Sequence, residues 1–538
     1  MTTNVYDYVI IGSGFGGSVS AMRLSEKGYK VVVLERGKRY EDKDLPKTNW
    51  NIWKYLWLPA FRCFGILQMS LSRGFFVYHS SGVGGGSLVY AAVLMEPDER
   101  FFKSPAWSHL GDWKAILYPH YQTAKRMLGV DTNPRLWAAD EALHQVCIEL
   151  GYPDSYRPTD VGIFFGEPGK EVADPYFEGE GPARAGCTHC GGCIVGCRDN
   201  SKNTLLKNYL YFAEKYGVEI RPEASVHAIY PIQDAESNSA RYEVHYHSST
   251  AWFYKPTQVV RAKNVIVSAG TLGTIYLLLY CRDVIHSLEK LSPRLGERVR
   301  TNSESFLGAF SSKSAANHCE GLAITSIIQA GESTHVEPVR FSEGSSLLFR
   351  VLSSPLIRPG GNFLRRLRDT LLEVFKKPAE MIGTKFIPGL TRRGLALLIM
   401  QSEDNQMRLR LGRNPFALFR RGLVAEHNPE RTVPVDIKLA HEVVRSFAKR
   451  ISGYPIGTIT EGLLNVPMTA HILDGCSFGR DASEGVIDLD CQVHNYPGLY
   501  IIDGSIVPAN PGINPTLTIT ALAEYAMSRV PPKENAFE

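Results

Sequence analysis

Four cysteines fall within eleven residues, as Cys187-x2-Cys190-x2-Cys193-x3-Cys197. Thiolate sulfur binds soft iron well, and a compact loop can wrap four such ligands around one cluster. The spacing is ferredoxin-like, so an iron–sulfur cluster is the first expectation. Structural zinc ordinarily uses two knuckles set further apart; it stays open as an alternative, as do free structural thiols. The proline that usually follows the last cysteine of such a run is replaced by Arg198.

A second chemistry-bearing pattern is Gly12-Ser13-Gly14-Phe15-Gly16-Gly17. Gly12 allows a tight turn, Gly14 lets the backbone approach a pyrophosphate, and Gly17 lets a helix pack closely on a strand. The elements that must position it are legible on both sides. Tyr8–Ile11 reads as a short apolar strand, a helical pattern follows the glycines, and Lys30–Leu34 reads as a second strand ending at Glu35-Arg36-Gly37. The helix N-terminus offers N–H groups to phosphates, and Glu35 stands where an acid accepts hydrogen bonds from a ribose. Dinucleotide binding follows. A second glycine run, Gly82-Val83-Gly84-Gly85-Gly86-Ser87, has apolar neighbours on both sides. A buried run of this kind fits a close approach of backbone to a flat or charged group. Two more apolar strands end in small residues, at Ser268-Ala269-Gly270 and at Asp503-Gly504-Ser505. The latter leads through Asn514-Pro515 into a helix over 516–528.

With 538 residues, 44% hydrophobic and 21% charged, the chain is globular and long enough to enclose a cavity. A net charge of +4 is too mild to argue for nucleic acid. No run of 18 uncharged apolar residues suggests a membrane span. The first strand pattern starts almost at Met1, so no secretory signal is read and a cytoplasmic location is expected.

These motifs, together with Leu295-Gly296-Glu297-Arg298-Val299-Arg300-Thr301-Asn302 and Thr469-Ala470-His471, occur in an order that resembles the glucose–methanol–choline (GMC) flavin oxidoreductases, in their cholesterol oxidase-like branch. The resemblance implies an α/β fold: a discontinuous Rossmann-like FAD domain over 1–310, carrying a cysteine-rich insertion near 186–200, an inserted α+β substrate cap over 311–465, and a return over 466–538. It implies FAD rather than NAD, and hydride transfer from an alcohol to the flavin N5. It places His471 and Asn514 as the catalytic pair. Contacts to FAD are implied for Gly12, Gly14, Phe15, Gly17, Glu35 and Arg36 in the first unit, and for Gly82, Gly84, Gly86 and Ser87 in the second glycine run. Further on they are implied for Val226, Ala269, Gly270, Asp503, Gly504, Asn514 and Pro515. No histidine follows Ser87 where some members attach FAD covalently, so non-covalent FAD is expected. Tyr90-Ala91-Ala92 departs from the Asn-Gly-Gly-like strip of many relatives. Some family dehydrogenases carry a three-iron cluster on a frame that Cys187, Cys193 and Cys197 match. Cys190 would be a fourth ligand of a 4Fe-4S cluster or a bystander of a 3Fe-4S one. Such a cluster would pass electrons singly to an external acceptor; without it, oxygen would reoxidise the flavin.

Residues 358–393 hold nine Lys/Arg and three acids, with Phe363, Leu364, Leu367, Leu371, Leu372 and Phe375 at helical spacing. That is a basic amphipathic helix. It is expected either to touch the inner face of a membrane, where a steroid-like substrate would be dissolved, or to turn its stripe into the cap core. Double-bond isomerisation, a side activity of the resembled branch, would need a carboxylate in the cap, and Glu403 and Asp404 stand in that region.

Overall fold

In this computed structural model residues 5–72, 74–232, 239–414 and 420–534 are described. Strand β1 (Val5–Ile11) enters helix α1 (Phe15–Glu26) and returns as β2 (Val31–Leu34), parallel to β1. Four later strands extend this sheet: β3 (Glu219–Arg221), β4 (Ala224–Pro231), β5 (Tyr242–Ser248) and β6 (Gln258–Val267). Their order is β3-β2-β1-β6-β5-β4. The first half of β6 pairs antiparallel with β5. Its last residues, Val265–Val267, pair in parallel with Leu499–Ile501, which brings the C-terminal segment to the sheet centre. β1 and β2 are apolar almost throughout because both sheet faces are covered; α1 and the helix Thr516–Ser528 pack together there. Helix α2 (Thr271–Asp283) leaves β6 through Gly270.

Three glycines of the first motif, Gly12, Gly16 and Gly17, are fixed by packing, Gly16 against the Ile502 carbonyl. A Cβ at Gly12 would lie 2.2 Å from the Ser268 carbonyl oxygen, and one at Gly17 would lie 2.1 Å from the Gly12 carbonyl oxygen.

The second sheet is antiparallel. It contains β7 (Ser305–Ser311), β8 (Ser326–Ala330), β9 (Thr334–Val339), β10 (Ser353–Pro355), β11 (Gly394–Gln401) and β12 (Gly453–Thr458), in the order β10-β12-β7-β11-β9-β8, with Arg157–Pro158 at the edge. Helices α3 (Leu347–Leu352), α4 (Phe363–Lys376) and α5 (Pro378–Phe386) lie beyond β9, and α6 (Lys438–Arg450) precedes β12. Alternation along these strands sorts the side chains onto two faces. Ala309, Leu397 and Ile399 pack with Val443, Val444 and Phe447 of α6 and with helix Ala138–Glu149. Phe306, Ala396 and Leu398 face the first sheet's side. The sheet thus begins at Ser305 and recruits segments from before residue 160, which the contiguous span 311–465 did not include. Among the described residues no helix is long and apolar enough to cross a membrane.

Candidate active site

A cavity of about 810 Å3 runs between the sheets, within the range of cofactor and small-molecule sites. One end is lined by Glu35, Arg36, Val226 and His227, and the middle by Gly12, Gly14, Phe15, Gly86, Ala269 and Gly270. His471, Gly504, Asn514 and Pro515 follow, and the far end is an apolar chamber of Phe306, Val339, Phe341, Leu398, Ile456 and Met468. A Cβ at Gly14 or Gly270 would meet nothing within 4 Å, whereas one at Gly12, Gly16 or Gly17 would run into backbone. These two positions leave the cradle a flat, phosphate-bearing ligand needs, so the residues present fit FAD.

The remaining residues named from sequence stand behind this lining. Gly17 packs α1 on β1. Gly82 and Gly84 have positive φ (145° and 101°), and the Gly82 N–H and the Gly84 N–H donate to Glu35 Oε1 and Ser13 Oγ. The Ser87 hydroxyl donates to the Gly84 carbonyl at 2.7 Å and accepts from Leu205 N at 3.0 Å, stapling the loop to the chain after the cysteines. Glu35 is the hub of both glycine loops: it accepts from Ser13 N at 3.0 Å, Ser13 Oγ at 2.8 Å and Gly37 N at 2.7 Å. Asp503 is buried and accepts from Ser505 N and Oγ and from Thr274 Oγ1. Burial pushes its pKa up, against those hydrogen bonds.

His471 and Asn514 come from separate segments, and four side chains hold them in place. The His471 Nδ1 is bonded to Glu304, whose side chain is wholly buried and also accepts from Ala470 N at 2.7 Å. With Nδ1 occupied, chemistry in the cavity falls to Nε2. The loop before Asn514 is tied down by Asn302 Nδ2 to the Ile513 carbonyl (2.9 Å), by His335 Nδ1 to the Gly512 carbonyl (3.0 Å) and by Asn510 Nδ2 to the Gln401 carbonyl (2.6 Å). Asn514 Oδ1 is buried without a protein partner. Such an acceptor is costly unless a ligand supplies the donor.

Three buried carboxylates surround this pair. Besides Glu304, Glu461 accepts from Phe306 N and Ser305 Oγ at 2.8 Å each. Glu337, on β9, faces Asn514, and among the described residues neither of its two buried oxygens has a partner within hydrogen-bond geometry. Burial first, and the charge of Glu304 second, push Glu337 and Glu461 up to about 8 each, against the Asn514 contact and the Phe306 and Ser305 hydrogen bonds respectively. Sequence reasoning missed all three. Glu304 stands two residues past the Thr301-Asn302 motif, and Glu337 is a lone acid in an apolar strand; both signals were present. Glu403 and Asp404, expected as candidate bases, are exposed; Asp404 instead pairs with Arg300 and Arg431.

Cys187, Cys190, Cys193 and Cys197 line one small second cavity of about 20 Å3. Among the described residues, no three His, Cys, Asp or Glu side chains are gathered as ligands of one metal ion, so the geometry gives no metal centre. All ten cysteines are free. Two basic side chains flank the loop. Lys202 is wholly buried and its Nζ donates to the carbonyls of Cys193 (2.7 Å), Leu88 (2.9 Å) and Tyr90 (3.3 Å). Burial pushes it down to about 8. Arg184 is buried over Tyr176, donates to Asn200 and Asn203, and leaves one terminal nitrogen without a partner.

The GMC oxidoreductase family model matches residues 448–523, the segment holding His471 and Asn514, and a NAD(P)-binding Rossmann-like model matches residues 10–40. The chain is 41% identical to a cholesterol oxidase of Acinetobacter baumannii, over 99% of this chain and 96% of that protein. It is equally identical to a cholesterol oxidase of Mycobacterium tuberculosis, over 98% and 91%. A long-chain-alcohol oxidase of Arabidopsis thaliana is 23% identical over 98% of this chain and 68% of its own length. Among solved structures, a pyridoxine 4-oxidase covers 98% of this chain and 99% of its own with a TM-score of 0.60 at 15% identity, which is a likeness of fold.

Proposed function

The chain belongs to the GMC oxidoreductases, FAD-dependent enzymes acting on alcohols, and from that membership and the cavity we propose that it oxidises a secondary hydroxyl on a bulky, sterol-like alcohol to the ketone. One observation carries the reading: His471 and Asn514 stand where the glycine-lined half of the cavity meets an apolar chamber. The names of the relatives, cholesterol oxidase and long-chain-alcohol oxidase, point to the same substrate class. FAD, when bound, supplies a two-electron acceptor for the carbinol hydrogen and its electron pair. Residues of the chain do the rest. Asn514 Oδ1 accepts a hydrogen bond and fixes orientation. His471 Nε2 takes the hydroxyl proton, and Glu304 holds the ring through Nδ1. The chamber walls exclude water and grip the apolar body of the substrate.

A second reading concerns where the electrons go. Relatives named as oxidases favour oxygen. The four cysteines around one cavity, flanked by Lys202 and Arg184 with no carboxylate in ion-pair contact among the described residues, are the one feature that would suit an anionic, thiolate-held iron–sulfur cluster, which would pass electrons singly to an external acceptor. Iron, acid-labile sulfide and FAD measured on anaerobically purified protein separate the two, and Cys193→Ser must then lose the iron. For the substrate, anaerobic mixing with steroid alcohols should bleach the flavin absorbance. Bleaching by small hydrophilic alcohols and by no steroid would sink the sterol reading.

A further inference from the structure

Helix α4 is inside out for a surface helix. Its one buried residue is Arg366, which donates to the carbonyls of Leu463 and Gly361. Its apolar residues point outward instead: Leu364 is 73% exposed and Phe375 78%, with Phe363, Leu371 and Leu372 about half exposed. Helix α5 continues the surface with Ile382 and Phe386, exposed to 59% and 75%. The apolar stripe read from sequence is therefore not turned into the cap core. Exposed apolar surface on this scale marks a binding face rather than a solvated one.

The same surface adjoins the cavity. α5 packs on α3, and both α4 and α5 pack on β10. α3 is one short helix thick: Leu348 and Leu352 line the cavity, and Val351, on its other side, is 55% exposed. Around the patch, residues 358–393 hold nine Lys/Arg against three acids, each acid already paired with a neighbouring cation.

We propose that α4 and α5, with Val351 of α3, form a docking face that lies on an anionic lipid bilayer and delivers apolar substrate to the cavity past α3. The pattern of apolar contact framed by surplus positive charge fits an interfacial helix, and the continuity of the patch with the chamber gives the contact a purpose. The delivery step rests on the proposed substrate class; the docking does not.

Flotation of the full-length holoenzyme with vesicles tests the docking. Binding is expected to phosphatidylcholine vesicles containing phosphatidylserine, to be weaker to phosphatidylcholine alone, and to fall as salt rises. The double variant Leu364→Asp/Phe375→Asp should lose binding, while Phe253→Asp, at a separate exposed aromatic site, should retain it. Turnover of a detergent-dispersed alcohol should be unchanged in the double variant, and turnover of vesicle-held alcohol should drop. Equal binding by the double variant, or no binding by the wild type, overturns the proposal. So does sedimentation velocity showing that the double variant turns a dimer into a monomer, because the patch would then be occupied by a second copy. If vesicles bind as expected but no sterol-type alcohol is turned over in any form, the substrate reading fails and the docking face stands.

Discussion

The molecule buries charge of opposite sign in two places, on either side of the Leu88–Ala92 strip. Around the His471–Asn514 pair lie three buried carboxylates: Glu304 on His471, Glu337 facing Asn514, and Glu461, which feels the charge of Glu304. Near the cysteines lie Lys202 and Arg184, with no carboxylate in ion-pair contact among the described residues. Elsewhere the fold pairs its deepest cations in the ordinary way, Arg300 with Asp474 and Arg340 with Asp140. The difference is chemical. A buried carboxylate escapes its desolvation cost by taking up a proton, as the raised pKa values of Glu337 and Glu461 express. A guanidinium cannot shed its proton, so Arg184 remains a charge that something anionic must answer. The acid cluster can neutralise itself by protonation; the basic one cannot do so at Arg184.

The largest effect should come from the acid side. His471→Ala removes the proton acceptor and should lower kcat/KM by about 10²- to 10⁴-fold while FAD stays bound, checked by steady-state kinetics and the flavin spectrum. Next, Glu304→Gln keeps the shape but withdraws the charge that orients and supports His471. We expect a loss of about 10- to 100-fold, mainly in kcat rather than KM, because the ring is no longer held for proton transfer at Nε2. An unchanged kcat would reduce Glu304 to scaffolding. On the basic side, if the proposed cluster is present, Lys202→Met should weaken retention of iron and sulfide by about 10-fold, and Lys202→Arg should restore most of it. Equal iron in all three proteins would end the argument from counter-charge.

The smallest effect is a slope. The carboxyl of Glu337 has a folded pKa of about 8, above its ordinary 4.5, so the folded state holds a proton the unfolded state has released. Its stabilising share is complete below about 4.5 and is lost as pH rises toward and through 8. The melting temperature of wild type should therefore fall relative to Glu337→Gln between pH 5 and 9. Parallel melting curves would mean that Glu337 is already ionised in the folded protein.

Much of the nucleotide half was legible because its demands are local. Gly12, Gly14 and Gly17 announce a strand, turn and helix within one stretch of chain, and the elements expected at Tyr8–Ile11, Lys30–Leu34 and 516–528 form there. Charge on the apolar half was harder to read. Glu337 looks like any acid until β9 is placed between β11 and β8, where both its oxygens are sealed from water. Glu403 looked equally suitable and ended at the surface. The amphipathic pattern at 363–375 was plain, but whether its stripe faced core or solvent depends on Arg366 reaching the Leu463 carbonyl, ninety-seven residues away.

By itself, then, the sequence determined the turn glycines, the cysteine spacing and the period of each helix and strand, because those depend on backbone sterics and on neighbours a few residues apart. Only the tertiary structure decided which nitrogen of His471 is free, which carboxylates are dry, and that Lys202 joins the cysteine loop to the Leu88–Tyr90 strip. Those properties are set by burial and by partners from distant segments. A side chain's charge state and direction follow from what surrounds it, and no local pattern carries that information.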